Sequence, residues 1–203
     1  MRVLACILAA SIVAAAPLGA QAPAVPGAPD PARVVSGTYT VDSGHTQLLF
    51  TVNHLGMTEY TGQFVTPTGT LTLDAKNPSA SKVEVVFPVA KVSTTVPALD
   101  EHLKKADFFD AEKFPEARFV STKIVARGTN ATITGNLTLK GVTKPVVLQA
   151  RFVGAGPDMR SKKPYVGFAA TGTIKRSDFG ISYGVPMVSD EVKLVVNAGF
   201  QQP

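Results

Sequence analysis

Cysteine occurs once in the 203 residues, at Cys6, and tryptophan not at all. Cys6 lies inside a segment that reads as a cleaved leader, so the rest of the chain carries no thiol and can form no disulfide. Its stability must come from its core. Histidine is scarce as well: His45, His54 and His102 are the three, and none sits at ligand spacing from another His, Cys or carboxylate within one element. The nearest approach to a metal corner is Asp42 with His45, three apart and short of a third ligand, so no metal is expected. There is no Gly-Xaa-Ser-Xaa-Gly elbow and no glycine loop shaped to cradle phosphate. The expected catalytic set and cofactor set are therefore both empty. No run of Lys or Arg is interleaved with aromatics, which argues against nucleic acid as a partner. Beyond the leader, no apolar run is long enough to cross a bilayer as a helix.

The leader is residues 1–20. Arg2 opens it, Val3 to Ala16 is almost wholly apolar, and the small pair Gly19-Ala20 suits cleavage. Its removal takes the formal charge from +5 to +4, because Arg2 is the one charge it carries. The product is expected in the periplasm of a Gram-negative source, or secreted otherwise. Residues 21–35 follow with Pro23, Pro26, Pro29 and Pro31, a spacing hostile to helix and ladder alike, and read as a disordered tether. The folded domain is expected over 36–200.

Within that domain apolar and polar residues alternate. Leu48, Phe50 and Val52 share one face, as do Leu71 and Leu73, then Val83, Val85, Phe87 and Val89. The cleanest segment is Asn130–Leu139, where Ile133, Leu137 and Leu139 oppose Thr132, Thr134 and Thr138. Val146 to Phe152, Val166 to Ile174 and Val192 to Phe200 follow the same period of two. About eight to ten strands with little helix leave a two-sheet sandwich or a closed barrel, and the long strands favour closure. The inward set mixes rings with Ala131, Gly135, Ala150, Ala170 and Gly172. Those small residues either leave a cavity or merely face large partners across a filled core, and the pattern leaves both open.

One stretch breaks the period, Pro97 to Phe119. Leu99 and Leu103 are four apart, Pro97 suits a first helical turn, and Asp100 and Glu101 sit early where the helix dipole favours negative charge. Phe108, Phe109 and Phe114 follow among charges. A helix this short must dock on something apolar. It reads as a lid over the barrel mouth, or as a helical connection packed on an ordinary core.

The motifs in order are Asp42-Ser43-Gly44-His45, Leu49-Phe50-Thr51-Val52-Asn53-His54-Leu55-Gly56, Asp100-Glu101-His102-Leu103, Asp107-Phe108-Phe109-Asp110, Lys113-Phe114-Pro115, Gly135 to Thr143, and Arg176-Ser177-Asp178-Phe179-Gly180. Together the chain resembles the YceI-like family of periplasmic polyisoprenoid-binding proteins. The resemblance implies an all-β, antiparallel, lipocalin-like β-barrel with a short helical lid segment. It also implies a carrier rather than an enzyme, with an isoprenoid lipid (a polyprenyl phosphate or a quinone) in an apolar tunnel. Sequestration of other lipophilic compounds, or a lipid-modifying activity, are the alternatives. From the alternation, the expected lining is Phe50, Val52, Leu71, Leu73, Phe87, Phe108, Phe109, Leu137, Leu139, Phe152, Phe168 and Phe179. The polar mouth is expected from His45, His54, Asp107, Arg176 and Asp178, with Arg176 suited to a phosphate unless Asp178 already holds it. Transient contact with a membrane surface is a further expectation, the basic loop at Arg160, Lys162 and Lys163 being one place for it. Monomer and homodimer both stay open.

Overall fold

The computed structural model describes residues 25–203. The leader over 1–20 and the first part of the tether, 21–24, lie outside the described residues. Eleven strands and one α-helix make the fold: β1 Gly37–Val41, β2 Gln47–His54, β3 Thr58–Phe64, β4 Thr68–Leu73, β5 Lys82–Pro88, β6 Val92–Ser93, α1 Pro97–Leu103, β7 Glu116–Arg127, β8 Asn130–Leu139, β9 Val142–Pro157, β10 Pro164–Lys175 and β11 Glu191–Gln201.

All pairings are antiparallel, and the eleven segments reduce to eight rungs. β1 and β2 run end to end along β11, with Val41 opposite Phe200 and Gln47 opposite Asn197. β3 pairs with β2 while its continuation β4 pairs with β1. β5 pairs with β4 while its continuation β6 pairs with β3. β7 to β11 then follow in sequence order, and β11 closes on β1. The result is the closed antiparallel barrel that the alternation and the resemblance predict, and closure leaves few free edges. Its early rungs break at residues 42–46, 65–67 and 89–91. At the first, Asp42 accepts from the Gly44 N–H (3.0 Å). Pro67, fully buried, marks the second. The β8–β9 turn is a two-residue hairpin, with Lys140 (φ 49°) and Gly141 (φ 74°) both in the left-handed region that such a turn requires.

β3 has no counterpart in the sequence reading. Tyr60, Gly62 and Phe64 carry its inward face, and the glycine in the middle breaks the apolar alternation that revealed the other strands.

The end of the tether is docked where it is described. Ala28 pairs with Ala155 at the end of β9, past the reach of β8, through N–H···O bonds of 3.1 and 2.9 Å. Pro31–Arg33 form a 3-10 turn whose Ala32 N–H is accepted by Asp30. The proline spacing forbids a ladder here, but Ala28 keeps both its N–H and its C=O, and one such residue is enough for a bridge.

The interior divides into two apolar clusters. One, at the end where the chain enters β1, joins Tyr39, Leu71, Leu73, Ala155, Val166 and Phe200, with Phe152 and Phe168 packed against it. The other, at the α1 end, joins Phe64, Phe87, Leu103, Phe119, Leu139 and Phe179 among others.

Candidate functional site

α1 enters between β6 and β7, where the two strands part. Pro97 occupies its first turn, and Asp100 accepts from both the N–H and the hydroxyl of Thr94 at 2.6 Å, which fixes the helix start to the end of β6. Leu99 and Leu103 turn inward, as their spacing predicts. The chain beyond α1 folds back as Phe108 and Phe109. Phe109 meets Phe64 edge-on at 5.3 Å, and Phe108 meets His102 at 5.0 Å. Lys140, on the β8–β9 turn, donates to the carbonyls of Ala106 (2.7 Å) and Gly180 (3.3 Å), and so ties this segment to the 3-10 turn at Arg176–Phe179.

Beneath lies a cavity of about 610 Å³. Of the expected lining, Phe50, Val52, Phe87, Phe108, Phe109, Leu137 and Leu139 face it. Leu71, Leu73, Phe152 and Phe168 point inward as expected but belong to the apolar cluster at the other end of the barrel, the two leucines buried and the two rings partly so. Phe179 is 1% exposed, packed in the core rather than on the cavity wall. The corrections share one cause. Alternation fixes which face of a strand looks inward, not how far along the axis the barrel is hollow.

Gly135 and Gly172, two of the small inward residues, do not leave the space, and neither does Gly62 on β3. A Cβ on Gly135 would fall 2.3 Å from the Phe119 ring, one on Gly62 2.4 Å from the Phe50 ring, and one on Gly172 2.7 Å from Leu148. Each glycine is roofed by a large neighbour that lies down along the wall. Rings held against the wall leave the centre open.

The polar residues fall out differently from expectation. His54 and Arg176 lie on the cavity wall. His45 does not; it sits outside the barrel, its Nδ1 2.7 Å from Asp42 Oδ2, beside a shallow groove floored by Gly154, Gly156 and Gly167. Tyr165 donates to the same Asp42 oxygen (3.1 Å). Burial raises the Asp42 carboxyl, but the bonds from His45, Tyr165 and Gly44 outweigh it and leave the group below its ordinary value. Asp107 and Asp178 are exposed and off the wall.

Arg176 is 6% exposed and is not held by Asp178. Its guanidinium donates to four backbone carbonyls: Nε to Ser189 (2.9 Å), Nη1 to Ile181 (3.2 Å) and Tyr183 (2.8 Å), Nη2 to Val188 (2.8 Å). Four of its five N–H donors are engaged, at least one on each nitrogen, so its main work is to organise the 181–189 loop. The carboxylate beside it is Asp190, which accepts from the Ser177 hydroxyl (2.7 Å) and N–H (2.8 Å) and is held below its usual value chiefly by those bonds.

The sequence reading missed His102, Tyr60 and Tyr183 as wall residues. His102 carried a signal, since it lies one residue before Leu103 on the helix. Tyr183 lies in an irregular loop where no periodicity exists to place it. Among the described lining residues there is no carboxylate and no lysine. Around the opening, Leu55, Met57, Tyr183, Val185 and Met187 are exposed. Their two loops are laced by the Leu55 N–H on the Met187 carbonyl (2.7 Å).

Residues 39–200 match the family model described as YceI-like domain. Protein YceI of Salmonella arizonae is 42% identical over 171 residues, which cover 83% of this chain and 89% of the relative. Among solved structures, the Campylobacter jejuni YCEI protein superposes with a TM-score of 0.66 at 30% identity, over 74% of this chain and 90% of the other. Burkholderia cenocepacia BcnA gives 0.70 at 23% identity, over 78% and 98%. A polyisoprenoid binding domain from Saccharophagus degradans, implicated in plant cell wall breakdown, gives 0.62 at 14%, over 81% and 98%, and at that distance shows the shared fold. The matched strands, the lid segment and the hollow half of the barrel all lie inside the span of the family model, and the chain belongs to the YceI-like family.

Proposed function

We propose that this protein is a periplasmic carrier, exported by its leader, that holds the hydrocarbon chain of an isoprenoid lipid in the hollow half of its barrel. The observation that carries the reading is the cavity of about 610 Å³, with walls built almost entirely of Leu, Val, Ile, Ala and Phe. Burial of hydrocarbon contributes roughly 0.8 kcal/mol per CH2, so an isoprene unit of about five carbons contributes on the order of 3–4 kcal/mol before ordering costs. No directional polar contact is needed for tight binding. The polyisoprenoid-binding domain among the structural neighbours supports the same ligand class.

The head group belongs at the opening, beside His54, His102 and Tyr183. With four of the five Arg176 donors committed to carbonyls, the described wall residues offer a phosphate little. This favours an uncharged head such as a quinone, or a charged head left in water. The apolar rim at Leu55, Met57 and Met187 supports loading at a membrane surface, and Arg160, Lys162 and Lys163 lie at the opposite end of the barrel. The same absence of directional wall contacts supports sequestration of other lipophilic compounds as a second reading.

Binding is favoured over catalysis because, among the described residues, neither wall histidine is hydrogen-bonded to a hydroxyl, and Asp100 takes both the N–H and the hydroxyl of Thr94 to fix the helix start. Organic extraction of the freshly purified protein, followed by mass spectrometry, tests the proposal. A stoichiometric prenyl lipid is the expected result. An empty barrel that takes up no apolar compound would end it.

A further inference from the structure

The hollow half of the barrel has a definite floor. On β11 the wall runs through Val192, Leu194, Val196 and Ala198, and the next inward residue, Phe200, is 3% exposed in the solid cluster. On β9 the wall holds Val146 and Leu148, and Phe152 is already in the plug. Phe152 meets Phe168 at a tilt and Phe168 meets Phe200 edge-on, with ring centroids 5.8 and 6.2 Å apart. Tyr39, fully buried, closes the plug from β1, its hydroxyl donating to the Val35 carbonyl at 2.6 Å. Thr46 seals the floor at the break between β1 and β2, exchanging hydrogen bonds with the N–H (3.0 Å) and carbonyl (3.2 Å) of Gly199.

We propose that this aromatic floor, with Ala198 at its surface and Phe168 behind it, acts as a ruler that limits the buried ligand chain to about four isoprene units. A methylene takes about the share of volume a water molecule takes in liquid, roughly 30 Å³. The cavity of about 610 Å³ therefore holds on the order of 20 chain carbons. A longer tail can pass the floor only by displacing Phe152, Phe168, Phe200 or Tyr39, and displacing packed rings costs free energy. Its surplus carbons stay at the rim. The inference rests on the carrier reading and adds a length limit that a barrel hollow from end to end would not have.

All-trans prenols of graded length, from about two to about eight isoprene units, test it by displacement of an environment-sensitive apolar dye from the full chain. In the unaltered protein, Kd should fall about tenfold or more with each added unit up to about four, then change less than about threefold. Ala198→Phe puts a ring into the empty space above the floor, and the break point should move down by about one unit. Phe168→Ala opens the floor, and the break point should move up by about one unit or more. Thermal melting reports whether the second variant folds; the first fills a void and carries the test if it does not. Affinity that keeps climbing tenfold per unit through the longest prenol would overturn the ruler and leave the carrier reading intact. A break point unmoved in folded variants would do the same. Failure to bind any prenol would instead remove the carrier reading, and the ruler with it.

Discussion

The outer end of the Phe50 ring covers Gly62, its partner across β2 and β3, so closely that a Cβ on the glycine would fall 2.4 Å from Cζ. No other heavy atom is as near: the three closest to that Cβ all belong to this ring. The ring can stay on the wall only because position 62 has no side chain.

Gly62→Ala should therefore lift Phe50 off the wall and into the lumen. The expected cost to stability is about 1–3 kcal/mol from overpacking, with weaker uptake of an apolar dye. Combining it with Phe50→Ala should restore dye uptake. Thermal melting and dye titration on the three variants measure both effects.

Arg176→Met should unfasten the loop at the mouth. Four carbonyls lose their donor together, and the expected loss is about 3 kcal/mol or more. Arg176→Lys should rescue little, since an ammonium cannot span four carbonyls held by a planar fork. Hydrogen exchange over 181–189 should rise in both variants, ahead of the exchange in β8 and β9.

The two faces of β8 make a paired test. Leu137 is on the cavity wall, whereas Thr138 faces out, its hydroxyl 2.8 Å from that of Thr143. Leu137→Asp should abolish dye binding or folding, because a carboxylate there has no partner. Thr138→Asp should cost less than about 1 kcal/mol. Equal damage from both would mean that the faces are assigned the wrong way round.

Acid should weaken the protein through Asp42 and Asp190. Both carboxyls sit below their ordinary value of 3.8 in the folded chain, so the unfolded chain binds protons first as pH falls. Their contribution is complete well above that value, declines as pH drops through it, and is gone below the folded values. Asp190→Asn should flatten the acid limb of a melting-temperature profile between about pH 5 and pH 2, and leave neutral stability lower than in the parent.

Much of this architecture is written in the chain. The alternation in Asn130–Leu139 and Val192–Phe200 gives the strands and their inward faces, and the change of period at Pro97 gives the lid. The depth of the hollow is not written there. Leu71 and Leu137 present the same local pattern, yet one is in the plug and the other on the cavity wall. That difference depends on which rings arrive from strands distant in sequence. Arg176 shows a second limit. Its residue type suits a phosphate, and only the course of the loop out to Ser189 reveals that four of its five donors are already engaged. His45 shows a third: the break between β1 and β2 swings it outside, where a continuous strand would have kept it in register.

The barrel keeps its supporting masonry and its storeroom on different floors. Rings from β1, β9, β10 and β11, with leucines from β4, clamp one end, while the walls of the other end can be redecorated without loosening that clamp. Because the early rungs are already cut between the two storeys, substitutions that reshape the guest's chamber need not propagate downward. A scaffold divided in this way can acquire new guests at little risk to its own fold.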